Sequence, residues 1–334
     1  MSLVFQALAE PPDPATLNMA EKINVLLFGL GAIGSFYAFI LSRQDNVSLT
    51  VVARSNYEAV KNNGLIIESE VHGKHTYYPN RVVRSPAEAA SVYDYIVCAN
   101  KAIGQNSVPD ILRPAVGKNT TLVIIQNGVG NEEPFRKAFP DCAILSCVTW
   151  VGASQAVPGI VKHTKSEHTQ IGLYSNPKRE RKEEQERLER FVALLRAGKT
   201  PVDVEEDVQL KRWEKLVWNA AWNSLTTLTL LDTQSWLKSS PNAMPMTRQL
   251  MREVIDVSRK CGVPLQYSLI DQLIDKILAM PGIGSSMQAD CKAGRKMEVE
   301  IILGYPVRKA KELQVPIPVL DTLHTLLTAV NSRL

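Results

Sequence analysis

INVLLFGLGAIGSFYAFILSRQ, Ile23 to Gln44, is the stretch that decides the fold. Its first six residues, INVLLF (23–28), are mostly aliphatic or β-branched, as in a buried strand. SFYAFILSRQ reads as a helix, and between the two lies GLGAIG, Gly29 to Gly34, which fits G-x-G-x-x-G. A glycine loop straight after a strand and opening a helix is where a dinucleotide needs it. Gly29 permits the tight turn, Gly31 lets backbone approach a pyrophosphate, and Gly34 lets the helix pack closely on the strand. The N–H groups at the helix start face the negative charge. The backbone of Leu30, Ala32 and Ile33 belongs to the same candidate cofactor-binding loop.

The pattern continues outward from this loop. SLTVVA (48–53), YDYIVCA (93–99), TTLVIIQ (120–126) and AILSCVTWV (143–151) are further strand-like runs between helical stretches. Such alternation predicts right-handed βαβ units and a parallel, Rossmann-type sheet. GIVKHT (159–164) and TQIGLY (169–174) read as an appended β-hairpin. KRERKEEQERLER (178–190) leads into FVALLRAG as an amphipathic helix with a solvated face; its interleaved Glu argues against a basic nucleic-acid stripe. From about Asp207 onward the patterns are long, helical and free of any convincing strand. The chain therefore reads as a flexible extension (1–21), an α/β domain (22–205) and an all-helical domain (206–334).

Composition narrows the class. The chain has 334 residues, 45% hydrophobic and 22% charged, enough for two globular domains with sizeable cores. A net charge of +4 suits an anionic small ligand and does not single out nucleic acid. The five cysteines are odd in number and lack CxxC spacing, which fits free thiols in a reducing compartment. No apolar run approaches the roughly 20 residues of a membrane span. The first 21 residues lack secretory and transit character, Met19 offers an alternative start, and the expected location is the cytoplasm.

Two further signals concern the cofactor half. Where an NAD-binding domain places an acidic residue for the ribose 2′-hydroxyl, VVARSN (51–56) places Arg54. A guanidinium suits the 2′-phosphate of NADP, so the expected cofactor is NADP(H). Lys101 would add a second cation there, although an exposed loop lysine is an equal reading. Asn127 follows TTLVIIQ in an Asn-Gly pair, at a strand end where ligands lie; a plain turn also explains it.

In the helical half, KLVWNAAWN (215–223) repeats a polar residue every fourth position among apolar ones. On a helix with Lys215 at zero, Asn219 falls at about 40° and Asn223 at about 80°, on one face. Burial without partners would cost several kcal/mol for each. They face either another domain or a ligand, for which a desolvated lysine would make a proton donor. GSSMQADCKAGRKMEVE, Gly284 to Glu300, resembles a helix start at Ser285 and Ser286, which can bind a carboxylate. Glu298 alone reads as a surface residue.

Taken together, GLGAIG, IIQNGVGNEE, WEKLVWNAAWNSLT and SSMQADCKAGRKMEVEIILGYPVRKAKELQVPIP resemble the ketopantoate reductase (2-dehydropantoate 2-reductase) family, from Ile23 to about Leu327. The resemblance implies NADPH-dependent reduction of a small anionic 2-oxoacid, ketopantoate to pantoate, in pantothenate biosynthesis. It implies Lys215 as general acid, Asn127, Asn219, Asn223 and Ser286 as substrate contacts, and Glu298 ordering the site and cofactor. Asn127 would lie between nicotinamide and substrate, Arg54 and Lys101 would take the 2′-phosphate, and the backbone of Ala153, in a loop, would touch the cofactor. The second domain would share the helical fold of 6-phosphogluconate dehydrogenases and form a homodimer. No metal, membrane or nucleic acid is implied. Ser224, Asp232, Thr233, Gln288 and Ala289 depart from the family pattern, so the same fold acting on another 2-oxoacid or ketone stays open. A non-catalytic NADP(H) sensor is the alternative from a different class. Pro306 would kink the last long helix pattern.

Other residues carry less. His72 and His75 lack further metal ligands and read as an exposed loop, and His163 and His168 as surface. Trp213, Trp218, Trp222 and Trp236 read as packing, and Cys98 and Cys147 as strand-core hydrophobes.

Overall fold

The computed structural model describes residues 22–334, so the expected extension, with Met19, lies outside the described residues. β1 (Ile23–Phe28) leads through the glycine loop into α1 (Ala32–Leu41), followed by β2 (Val47–Val52), α2 (Tyr57–Asn63), β3 (Leu65–Ser69), β4 (Gly73–Tyr77), β5 (Arg81–Val83) and β6 (Tyr95–Cys98). Next come α3 (Val108–Leu112), β7 (Thr121–Ile124), α4 (Glu132–Ala138), β8 (Ala143–Thr149), β9 (Ala153–Val157), β10 (Ile160–His163), β11 (Thr169–Leu173), α5 (Arg181–Ala197) and β12 (Val202–Val204). The rest is helical: α6 (Val208–Thr229), α7 (Thr233–Lys238), α8 (Ala243–Lys260), α9 (Ser268–Leu278), α10 (Ser286–Lys292), α11 (Tyr305–Glu312) and α12 (Pro318–Ser332).

Eight strands form the main sheet in the order β12-β11-β8-β7-β6-β1-β2-β5. β1 pairs in parallel with β2 on one side and β6 on the other, so the strand order reverses at β1. A crevice opens at such a switch point, beyond the carboxyl ends of the strands. The apolar runs that spell these strands are buried on both faces, which is why they do not alternate. Phe36 and Phe39 of α1 and Leu188 and Phe191 of α5 cover one face. Val108 and Leu112 of α3 and Phe135 of α4 cover the other. Ala102 and Val129, just past β6 and β7, belong instead to the helical core, joining the sheet's carboxyl edge to the second half.

Several expectations need correction. GIVKHT and TQIGLY are not a hairpin. β10 joins a separate four-stranded sheet, β4-β3-β10-β9, where it pairs in parallel with β3 and antiparallel with β9. β11 instead finds β8 in the main sheet, antiparallel from Thr169↔Thr149 to Leu173↔Leu145. The HGKH segment is not a simple exposed loop, because Gly73–Tyr77 pairs with β3. His72 points inward, its Nε2 2.9 Å from a Glu167 oxygen. His163 is buried at 2% exposure, its Nδ1 2.8 Å from the Ser69 hydroxyl. The interruption expected at Pro306 is present: the residue lies at the start of α11, directly after a π-helical turn at Glu300–Gly304. Proline has no N–H for the helix ladder, so the widened turn takes up the mismatch.

Candidate active site

α6 carries the polar stripe. Asp207 starts it, its carboxylate accepting from the N–H groups of Gln209 at 3.0 Å and Leu210 at 3.2 Å. Leu216, Val217, Ala220 and Ala221 bury the opposite directions in the helical core. What remains faces the carboxyl ends of β7 and β8. There the Lys215 ammonium donates to Asn127 Oδ1 at 2.9 Å and to the Thr149 carbonyl, and lies 5.1 Å from the centre of the Trp150 ring. Asn127 also hydrogen-bonds Glu298, whose Oε1 accepts the Ala102 N–H at 2.9 Å. One amide thus spans the lysine and the glutamate.

Charge and burial set the protonation of this pair. Loss of water, and then the nearby Arg212 guanidinium, pull the Lys215 ammonium down to about 7, with Glu298 opposing. Burial raises the Glu298 carboxyl above its ordinary range, against the Ala102 N–H, Lys101 and Asn127. A lysine near 7 gives up a proton far more readily than one at its ordinary value near 10.4.

Down the same face, Asn219 and Asn223 are 8% and 5% exposed, and neither side-chain amide has a hydrogen-bond partner among the described residues. They open on a cavity of about 200 Å³ whose walls include Trp218, Trp222, Thr233, Ile283 and Ser286. Asn219 also lines the narrow slot that reaches Lys215 and Asn127. Ser285 caps α10, its hydroxyl accepting the Gln288 N–H at 3.0 Å, and this presents Ser286 to the cavity. The sequence-expected residues Lys215, Asn127, Asn219, Asn223, Ser286 and Glu298 are therefore one constellation.

At the switch point, the glycine loop shows why its residues are small. Gly29 has φ +99°, and a Cβ there would lie 2.3 Å from the Asn100 nitrogen. One at Gly34 would lie 1.9 Å from the Gly29 carbonyl oxygen, whereas at Gly31, which opens α1, nothing stands within 4 Å. Leu30 is buried, Ala32 and Ile33 are half-buried, and the Leu30 carbonyl accepts from Asn56 Nδ2 at 2.6 Å, tying the loop to the end of β2. Arg54, also beyond β2, is exposed, and its side chain has no ion pair or hydrogen bond among the described residues. Lys101 departs from the reading that set it beside Arg54. It follows β6, on the other side of β1, and its ammonium lies 2.5 Å from Asp290 Oδ1 of α10, linking the two halves across the crevice. Ala153 is not in a loop: it begins β9, paired with His163.

The departures from the family pattern sort by position. Ser224 is fully buried, its hydroxyl turned back to the Ala220 carbonyl at 2.6 Å. Asp232 caps α7 through the Ser235 N–H at 2.9 Å. Gln288 joins α10 to the end of α6 through the carbonyls of Thr226 and Leu231. Thr233 alone among them lines the cavity.

Sequence reasoning missed three participants: the Thr149 carbonyl, Trp150 and Arg212. A backbone carbonyl leaves no trace in residue type. Arg212 had a signal, because three residues before Lys215 places it at about 60° on the same polar stripe.

A glycine-cornered loop at the switch point of a parallel sheet, facing a helical half that holds a desolvated lysine, defines a two-domain oxidoreductase. Comparison with known proteins narrows this. Residues 25–176 match the family described as ketopantoate reductase PanE/ApbA, and residues 207–331 match its C-terminal domain. The chain belongs to the ketopantoate reductase family and is a ketopantoate reductase-like oxidoreductase. It is 26% identical over 315 residues to a 2-dehydropantoate 2-reductase of Nostoc, covering 94% of this chain and 97% of the relative. The crystal structure of 2-dehydropantoate 2-reductase from Methylococcus capsulatus is 32% identical, covers 93% of this chain with 97% of its own, and superposes with a TM-score of 0.83. A D-mandelate dehydrogenase solved with NADH and anilino(oxo)acetate shares the fold at 20% identity and a TM-score of 0.82, over 93% and 98% of the two chains. Among the described residues no helix is long and apolar enough to cross a membrane.

Proposed function

We propose that the protein reduces a 2-oxoacid with NADPH, ketopantoate to pantoate first among them, and that Lys215 supplies the proton. The observation that carries this is the Lys215 ammonium, fixed between Asn127 Oδ1 and the Thr149 carbonyl in the narrow slot that shares Asn219 with the cavity. When bound, NADPH supplies the hydride. The chain's residues fit that cofactor: Gly31 leaves room beside the α1 N-terminus, and Arg54 beyond β2 is exposed, its side chain unpaired among the described residues. The Leu30–Gly34 backbone takes the pyrophosphate, Arg54 takes the 2′-phosphate, and Ala153 contributes backbone. Lys101, held by Asp290, and Glu298 order the turn that bears Asn127. Lys215 donates to the oxygen that becomes the hydroxyl, Asn219 and Asn223 orient the substrate, and Ser286 binds its carboxylate. The division at residue 205 then separates cofactor from substrate binding, in a cytoplasmic enzyme that pairs through its helical half.

The direct test is NADPH consumption by the purified protein with ketopantoate beside a panel of other 2-oxoacids. Preference for a bulkier apolar acid such as phenylglyoxylate is the second reading, favoured by Trp218, Trp222 and Ile283 on the cavity wall and by Thr233. NADPH binding with no turnover of any panel member would reject both.

Two outcomes follow from the site. For reduction the lysine must be protonated, so kcat/KM is expected to be flat below pH of about 7 and to fall tenfold per unit above it. Oxidation of the hydroxyacid, where Lys215 accepts the proton, should show the opposite limb. A bound carboxylate raises the lysine's pKa, so the alkaline limb of kcat should lie above that of kcat/KM. Ser286→Ala should raise KM about 10- to 100-fold and leave kcat within about threefold, since a hydrogen bond to a charged group contributes about 1.5–3 kcal/mol in both ground and transition states. A matching fall in kcat would remove Ser286 from carboxylate binding.

A further inference from the structure

One buried cation beside the site has so far been given no contact role of its own. Arg212 is 3% exposed and lies one turn before Lys215 on α6. Its Nη1 donates to the carbonyls of Gln126 and Gly128, both at 2.9 Å, and its Nη2 to that of Ile124 at 3.1 Å. Two of those carbonyls flank Asn127, the residue that holds the Lys215 ammonium. Its Nε meets the Ser146 hydroxyl at 2.5 Å and Glu132 Oε1 at 2.7 Å, and Glu132 is wholly buried. The fork of the guanidinium thus fixes a turn from the helical half, a task a lysine's point charge cannot reproduce.

We propose that Arg212 is a positioning residue for the reaction: it locks the Ile124–Gly128 turn so that Asn127 meets Lys215. This rests on Lys215 as the proton donor. The other groups facing that ammonium are Glu298, backed by Lys101 and Asp290; Asn127, Thr149 and Cys147 at the sheet edge; Asn219 on α6; and Trp150, over which Lys276 of α9 also lies at 4.7 Å. Arg212 is the cation that shares Lys215's own helix and touches the turn.

Two variants separate geometry from charge. Arg212→Lys keeps the charge and loses the fork. Arg212→Gln combined with Glu132→Gln removes both charges and leaves neither orphaned, which limits the risk of unfolding. The readouts are steady-state kinetics and the pH dependence of acylation of the Lys215 amine in the ligand-free protein, followed by peptide mass. The second readout needs no substrate, so it distinguishes a wrong Arg212 role from a wrong reaction. Arg212→Lys should lower kcat about 10- to 100-fold with NADPH affinity unchanged. The double variant should move the acylation midpoint of Lys215 upward by up to about one pH unit, since Arg212, and not Glu132, is the member of the pair that acts on the ammonium. Unchanged kcat in the first and an unmoved midpoint in the second would overturn the proposal and leave Arg212 a structural residue. If the double variant fails to fold, the kinetics of Arg212→Lys decide alone, with kcat within about threefold of the parent counting against the proposal.

Discussion

Lys215→Ala is expected to lower kcat for 2-oxoacid reduction by about 10³- to 10⁴-fold, at the upper end of what one general acid contributes. NADPH affinity should stay within about twofold, because the glycine loop and Arg54 lie across the crevice from α6. The size of the effect follows from what else is in reach. Asn127, Asn219 and Asn223 are amides that cannot give up a proton, and Asn127 stands between the Glu298 carboxyl and the Lys215 ammonium. Lys215→Arg should be nearly as slow, since a guanidinium keeps its proton at any working pH. Stopped-flow measurement of the hydride step in parent and variants checks this directly. A loss below about tenfold would show that the proton comes from elsewhere.

Arg54→Asp should move cofactor preference, expressed as the ratio of kcat/KM for NADPH and NADH, by about 10³-fold towards NADH. Losing charge-assisted hydrogen bonds to the 2′-phosphate costs about 1.5–3 kcal/mol, and the new carboxylate repels that dianion. The same carboxylate accepts the 2′-hydroxyl of NADH, so the gain and the loss act together. Because Arg54 is exposed and unpaired among the described residues, the substitution should leave the melting temperature within about 2 °C. Lys101→Ala should change the ratio far less, since that ammonium is engaged by Asp290. An unchanged ratio in Arg54→Asp would place the phosphate elsewhere.

The parts of this molecule written in single residue types at fixed spacing were legible in its sequence. The strand, glycine loop and helix from Ile23 to Leu41 announce themselves because backbone crowding at Gly29 and Gly34 admits no side chain. The Lys215, Asn219, Asn223 stripe does so because polar groups in an apolar helix demand partners. What stayed hidden depends on distant pairing. β10 and β11 look like consecutive arms of a hairpin, yet each has a better neighbour far away in the chain, in β3 and β8. His163 reads as a surface residue until Ser69 and His72 close over it. Nothing local to Lys101 reveals that Asp290 of α10 reaches it. The loop glycine Gly128 belongs to the same group: a Cβ there would lie 2.5 Å from the Ile301 carbonyl oxygen, across the domain boundary.

The lysine in the slot beside the cavity has a consequence outside the proposed proton donation. An amine whose pKa is about 7 is half neutral at neutral pH, whereas an ordinary solvated lysine is almost wholly protonated there. The neutral form of such an amine keeps its lone pair while it donates to Asn127 and the Thr149 carbonyl, and is a nucleophile towards carbonyl compounds. Aldehydes small enough to enter should condense with it, and borohydride should trap the adduct on this one side chain. The same chemistry makes Lys215 an address for covalent inhibitors and reporter tags, with substrate as the natural competitor.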